Sequence, residues 1–351
     1  MISVHRPEQP IPSAGVKRRS TWGTACLLIV FVAGVLSFAD HAIGDGSRSA
    51  ATRLRVPNLS RLWSPTSPFN RPLPRNLTVL PQSAAWVAAL SAQAVAGIYP
   101  NSQAWTTPYY HANPSTPLTR FYIANRHLWL RVPYDPAWRP DQTSDGSIAI
   151  VDDTTGCLYE MSLVNPTAHT ANAEATFNVV DGTGVHTSMG VSGSSLAFLG
   201  GIIRPRDVAS GVIRHALRLA TPLNSPEHVS PATSSDGAHP GGIPEGQLIR
   251  LDPALDLASY HLDAFQLMVA HALQTYGAYD ADSAGGLTVA AENTLDGSTY
   301  RYTVSALPRE LVSHLQFVQP PASKYRIESG GGRTCRVRPV SKRHQPNKPH
   351  K

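Results

Sequence analysis

Runs of alternating apolar and polar residues, broken by turn-forming stretches, dominate the middle of this chain. Residues 121–134 (FYIANRHLWLRVPY) and 147–164 (SIAIVDDTTGCLYEMSLV) repeat with the two-residue period of half-buried strands. Asp152-Asp153-Thr154-Thr155-Gly156 reads as a hairpin turn, placing Cys157, Tyr159, Met161 and Leu163 on one face and Glu160 toward solvent. Residues 175–180 and 212–220 read as further strands. Residues 278–293 read as a hairpin around Ser283-Ala284-Gly285-Gly286. Helical spacing occurs twice. Trp86, Val87, Leu90 and Ala94 share a face in a segment that Ser83 would N-cap and Gly97 would end. Phe265, Met268, Val269, Ala272, Leu273 and Tyr276 follow a cap at Asp263 and stop at Gly277. The pattern predicts a mainly β fold, a β-sandwich or jelly-roll-like body with two short amphipathic helices.

The N-terminal region is of another kind. Lys17-Arg18-Arg19 precedes an uncharged apolar stretch, residues 22–39, that ends in Ser37-Phe38-Ala39, small residues at the positions a signal peptidase prefers. The stretch is also about long enough to span a bilayer, so residues 1–39 are either a cleaved signal peptide or a retained signal anchor, the chain's only expected membrane contact. Residues 40–62 read as a linker, 63–328 as a single β-rich domain, and 329–351 as a disordered basic tail. The expected location is secreted or cell-envelope.

Composition changes the picture in one respect. The chain has 351 residues, 42% of them hydrophobic, and a net charge of +6. Four basic residues and one acid precede Asp40, and seven basic residues without an acid follow Glu328, which leaves about −4 for the body. A nucleic-acid-binding domain needs a basic face, so nucleic acid is not an expected partner. The tail instead suits anionic envelope polymer. Of three cysteines, Cys26 lies in the apolar stretch, so Cys157 and Cys335 are the only possible pair in an oxidising compartment.

No HExxH, GxSxG, Walker or GxGxxG signature occurs, so chemistry must be read from single residues. On the 212–220 strand, His215 would share an apolar face with Ile213, Leu217 and Leu219, where an imidazole either satisfies itself inside the core or lines a cleft. Asp280 and Asp282 would share a face opposite Val289 and Leu287. Carboxylates in such company are solvated at the hairpin tip, paired, metal-bound or working with a raised pKa. A glycosidase needs two carboxylates beside a cleft, and clustered oxygens also suit calcium; no other cofactor is expected. Asp145 and Glu292 are the candidates for the second carboxylate. Asp152, Asp153 and Asp236 read as turn initiators. Arg204, with Arg206 and Asp207, reads as a site for a sugar acid or as a local ion pair. Tyr276 and Tyr279 read as sugar-stacking rings or as core.

GGIPEGQLIRLDPALDL, AHALQTYGAYDADSAGGLTVAAEN, SDGSIAIVDDTTGCLYEM and GGIIRPRDVASGVIRHALRL together resemble, in content and order, a family of uncharacterised secreted bacterial proteins. The resemblance covers most of residues 144–293 and implies a secreted domain without a reaction type. The functional expectation is an extracytoplasmic polysaccharide-active protein. One form is a glycoside hydrolase using Asp280 or Asp282 with Glu292 or Asp145. Another is a polysaccharide lyase using His215 and a tyrosine. The alternative is a non-catalytic carbohydrate-binding or adhesive surface module. Convergence of Asp280, Asp282 and His215 on one cleft favours an enzyme; dispersal favours the module.

Overall fold

The computed structural model describes residues 60–93, 97–187, 190–321, 324–329 and 335. The N-terminal apolar stretch, most of the linker and nearly all of the basic tail lie outside the described residues. Within them no helix is long and apolar enough to cross a membrane. The body is mainly β. In chain order its strands are β1 (Tyr99–Asn101), β2 (Tyr109–Ala112), β3 (Leu118–Ile123), β4 (Leu128–Pro133), β5 (Ile148–Asp152), β6 (Cys157–Ser162), β7 (Thr170–Ala171) and β8 (Ala173–Asn178). There follow β9 (Leu217–Thr221), β10 (Asn224–His228), β11 (Ile243–Glu245), β12 (Leu248–Leu251), β13 (Ala278–Ser283), β14 (Thr288–Ala290) and β15 (Leu315–Val318). Three α-helices accompany them: α1 (Ser83–Gln93), the single-turn α2 (Pro205–Ala209) and α3 (Ala264–Thr275).

The sheets stack as layers because their strands are apolar on both faces. A mixed six-stranded sheet runs β1-β14-β9-β13-β12-β15, and a four-stranded sheet runs β2-β5-β6-β8. Leu217, Leu219, Ile249 and Phe317 turn one face of the larger sheet toward α3 and Leu90 of α1. Leu248, Tyr279, Ala281 and Val318 turn the other face toward Ala149, Val151, Leu158 and Phe177 of the smaller sheet. Ile148, Ile150 and Met161 leave that sheet's far face for Phe121, Leu130 and Val132 of a third sheet, β4-β3-β7. Strand β5 is buried from Ile148 to Val151, which is why it reads as unbroken Ile, Ala and Val. Asp263 caps α3 as its sequence predicts: Asp263 Oδ1 accepts from the N–H of Gln266, and Gln266 Oε1 accepts from the N–H of Asp263. Gly277 follows at φ +69°.

Several expectations are corrected. Residues 278–293 are not a hairpin: β9 lies between β13 and β14, parallel to the first and antiparallel to the second, so Asp280 pairs with Leu219 and so does Val289. Strands two places apart stand about 9.5 Å from each other, a gap that the four residues between β13 and β14 span easily. Strand β9 begins only at Leu217, so His215 precedes it in irregular chain. Glu160 is fully buried rather than solvated, because β6 is covered on both faces; its carboxylate accepts from the N–H groups of Phe198 (2.8 Å) and Leu199 (3.0 Å). Leu163 leaves the face of Met161 and is exposed at φ +50°. Ser83 does not cap α1: it is the first helical residue, and its hydroxyl accepts from the N–H of Phe317. Leu62 already packs in the core beside Trp63. Cys157 and Cys335 are joined in a disulfide.

Candidate functional site

A cleft of about 780 Å³ opens beside the two main sheets, lined by Trp105, Asp145, Leu163, Arg218, Asp236 and Asp282 among others. Arg218 lies on β9, alternating with the core-facing Leu217 and Leu219, and so points to the other side of the sheet. Its Nη2 donates to Asp282 Oδ2 at 2.8 Å and to the Ala281 carbonyl at 3.2 Å. The β9–β13 register slips between Asp280 and Ser283. Asp282 falls in this irregular stretch and meets Arg218, while Asp280, on the regular part of the strand, stays buried with Oδ2 3.2 Å from the Thr221 hydroxyl. Asp236 arrives on a separate loop. Its Oδ1 accepts from Ser283 Oγ at 2.8 Å, and a Cβ on Gly193 would stand 2.5 Å from its Cγ, so only glycine leaves it room.

Glu245 completes the group from behind. It ends β11, and the following Gly246 turns the chain at φ +86° so that its N–H donates to the Asp280 carbonyl at 2.6 Å. One oxygen each from Asp236, Glu245 and Asp282 lies within 4.8 Å of the others. Asp280, whose charge is felt at Glu245 and which feels that of Asp282, brings the gathered carboxyl groups to four, and Arg218 pairs with Asp282. Neither oxygen of Glu245 meets an N–H or hydroxyl donor, its hydrogen-bond neighbour being the Asp236 carboxyl, and Oδ1 of Asp280 meets no donor. Burial first, then a hydrogen bond with the Asp236 carboxyl and the charges of Asp236, Asp282 and Asp280, push Glu245 up to about 10. Burial likewise raises Asp280 well above the usual carboxylate range. Asp282 is raised to about 6, by burial against the opposing pull of Arg218, with Asp236 and Asp145 adding repulsion. Asp145 comes from the turn before β5, and its own carboxyl is raised by desolvation and by Asp141. Trp105 and Leu163, both exposed and both in the left-handed backbone region, stand at this cleft. Bulky residues held in that conformation are strained, and they are concentrated at functional sites.

His215 is not part of this cleft. It lines a second cavity of about 650 Å³, with Arg61, Arg204, Arg206, Arg214 and Tyr276. Its Nδ1 lies 2.9 Å from the Ala216 carbonyl and its Nε2 3.4 Å from Asp207 Oδ2. Arg204 grips Asp207 with two hydrogen bonds of 2.9 Å, the local ion pair that the sequence left open. Glu292 lines neither cavity. It is buried near Tyr300, whose hydroxyl donates to the Glu292 carbonyl, and is pushed up to about 8, mainly by burial. Tyr279 is core, edge-on to Phe69. The structure therefore gathers Asp145, Asp280 and Asp282 and leaves His215, Arg204, Tyr276, Tyr279 and Glu292 elsewhere. Two members of the group escape sequence reasoning: Asp236, read as a turn initiator, and Glu245. The signal for both was glycine, in Ser235-Asp236-Gly237 and Glu245-Gly246. No family model, no curated protein and no solved structure matches the chain.

Proposed function

We propose that this chain is an extracytoplasmic polysaccharide-active protein that hydrolyses a glycosidic bond in the cleft holding Asp145, Asp236 and Asp282. The observation that carries the reading is the meeting of carboxylates from separate elements in one open cleft. Asp145, on the turn before β5, lies close enough to Asp282 of β13 for its charge to be felt there. Asp145 and Asp282 divide the two roles, proton donor to the leaving oxygen and base toward water. Trp105 offers an exposed ring on which a sugar face stacks. The Cys157–Cys335 disulfide suits an oxidising, extracytoplasmic compartment. The test is incubation of the purified protein with a polysaccharide panel, followed by assay of reducing ends. Asp145→Asn and Asp282→Asn should each lower the rate by at least about 100-fold. A panel that yields no new reducing ends overturns the reading.

One observation favours the non-catalytic module as a second reading: His215 lies in a different cavity from the carboxylates. Binding to a polysaccharide without cleavage, abolished by Trp105→Ala and unchanged in Asp145→Asn, would decide for it.

A further inference from the structure

We propose that Asp236, Glu245 and Asp282 form a binding site for one divalent cation of the calcium type at the wall of the cleft. Glu245 carries the argument. It is fully buried, neither oxygen meets an N–H or hydroxyl donor, its one hydrogen-bond neighbour is the Asp236 carboxyl, and one oxygen faces oxygens of Asp236 and Asp282 within 4.8 Å. A buried carboxylate without donors is costly unless a proton or a cation neutralises it. Asp280, also fully buried and with one oxygen unpartnered, adds a fourth carboxyl group behind the same point, and Arg218 pairs with Asp282 alone of the four.

The donor set selects the ion. Three carboxylates with no histidine or thiolate suit a hard cation. Calcium binds oxygen at 2.3–2.6 Å, so oxygens on opposite sides of it stand about 4.6–5.2 Å apart, which the observed spacing allows. Magnesium keeps several of its own waters and demands near-octahedral geometry, so three protein carboxylates suit calcium better. Asp236 is exposed and Asp282 half-buried, so the ion would sit at the cleft side of Glu245 with positions left for water or sugar oxygens. The site deepens the polysaccharide reading, on which it rests for its use: the ion would hold Asp236 and Asp282 fixed at the cleft that also contains Asp145.

The experiment is calorimetric titration of calcium chloride into the full chain after dialysis against EGTA, with thermal unfolding recorded in EGTA and in millimolar calcium. The expected result is one ion per chain with a Kd between about 1 μM and 1 mM, and a rise in Tm. Magnesium should bind at least about tenfold more weakly. Glu245→Gln should lose the calcium response while remaining as stable as the parent in EGTA, because a neutral isostere needs no counter-ion. Asp236→Asn, a change at an exposed position, should weaken binding at least about tenfold and carries the test should Glu245→Gln not fold. Folded parent protein that shows neither heat nor a Tm shift overturns the proposal. Polysaccharide cleavage that persists in EGTA without calcium binding sinks the ion and leaves the hydrolase. Calcium binding without cleavage of any polysaccharide does the reverse.

Discussion

Arg218 Nη2 stands 2.8 Å from Asp282 Oδ2, and through this contact a buried guanidinium of β9 holds a carboxylate of β13 at the edge of the cleft. Removing Arg218 leaves the four crowded carboxylates without it. Arg218→Met should cost up to about 3 kcal/mol in EGTA, toward the lower end of the range for a broken buried pair because Asp282 is partly solvated. In calcium the loss should shrink, since a bound cation supplies part of the missing charge. Urea unfolding of both proteins in the two buffers measures the difference. An equal loss in both would show that Arg218 acts by packing, through its bonds to the Ala197 and Ala281 carbonyls.

Gly193 makes a separate prediction, about space rather than backbone conformation. A methyl group there would fall 2.5 Å from Asp236 Cγ, so Gly193→Ala must displace the Asp236 carboxyl from its place beside Glu245 and Asp282. Calcium affinity should fall at least about tenfold with little change in Tm in EGTA, because the Asp236 loop is exposed. Unaltered affinity would place Asp236 outside the site.

Local signals made much of the fold legible. Asp263 with Gln266, Gly277 at the end of α3, and the Asp152–Gly156 turn between β5 and β6 each depend on residues within a few positions of one another. What could not be read is long-range. Strand β9 enters between β13 and β14 from about sixty residues upstream, and nothing in residues 278–293 announces it. Alternation placed Glu160 toward water because a two-residue period assumes one wet face, and β6 has none. Asp280 and Asp282 were legible as a pair because they share a strand. Glu245 was not, since a lone glutamate in a three-residue strand shows its importance only where other chain segments cross it.

Glu160 should make stability fall as pH rises through the neutral range. Burial raises its pKa from about 4.5 to about 7, against the opposing N–H bonds of Leu199 and Phe198 and the charge of Arg218, with Glu328 adding repulsion. The folded state therefore holds a proton that the unfolded state releases. That contribution is whole below about pH 4.5 and is lost as pH climbs through about 7, a change of roughly 2–4 kcal/mol. Glu160→Gln removes this term, so the difference in unfolding free energy between parent and variant should vary with pH in this window. A difference independent of pH would show that Glu160 is ionised throughout.

The disulfide closes a long stretch of chain. Cys157 begins β6 and Cys335 lies 178 residues further on, so the bond ties the four-stranded sheet to the C-terminal segment. A loop of that length restricts the unfolded chain by up to about 5 kcal/mol on entropy alone, and native disulfides commonly contribute about 2–5. Reduction, or Cys335→Ser, should lower the urea midpoint accordingly. An unchanged midpoint would show that the closure does not constrain the unfolded chain.

Asp207 should have the opposite pH signature to Glu160. Burial alone would raise its pKa, but the hydrogen bond from His215 and the charge of Arg204 outweigh burial and hold it well below the usual carboxylate range. A carboxyl depressed in the folded state contributes stability that is complete above its unfolded value, about 3.8, and is lost as pH falls through the lower folded value. Asp207→Ala would strip the buried Arg204 of its two 2.9 Å bonds, at a cost of about 3–5 kcal/mol at neutral pH. The difference between parent and variant should hold steady from pH 7 to about 5 and narrow only below about 4, as Asp207 takes up a proton in the parent's unfolded chain before it does so in the folded one. Urea midpoints across that range provide the check. A difference that narrowed between pH 7 and 5 instead would show that Asp207 is not held below the usual carboxylate range.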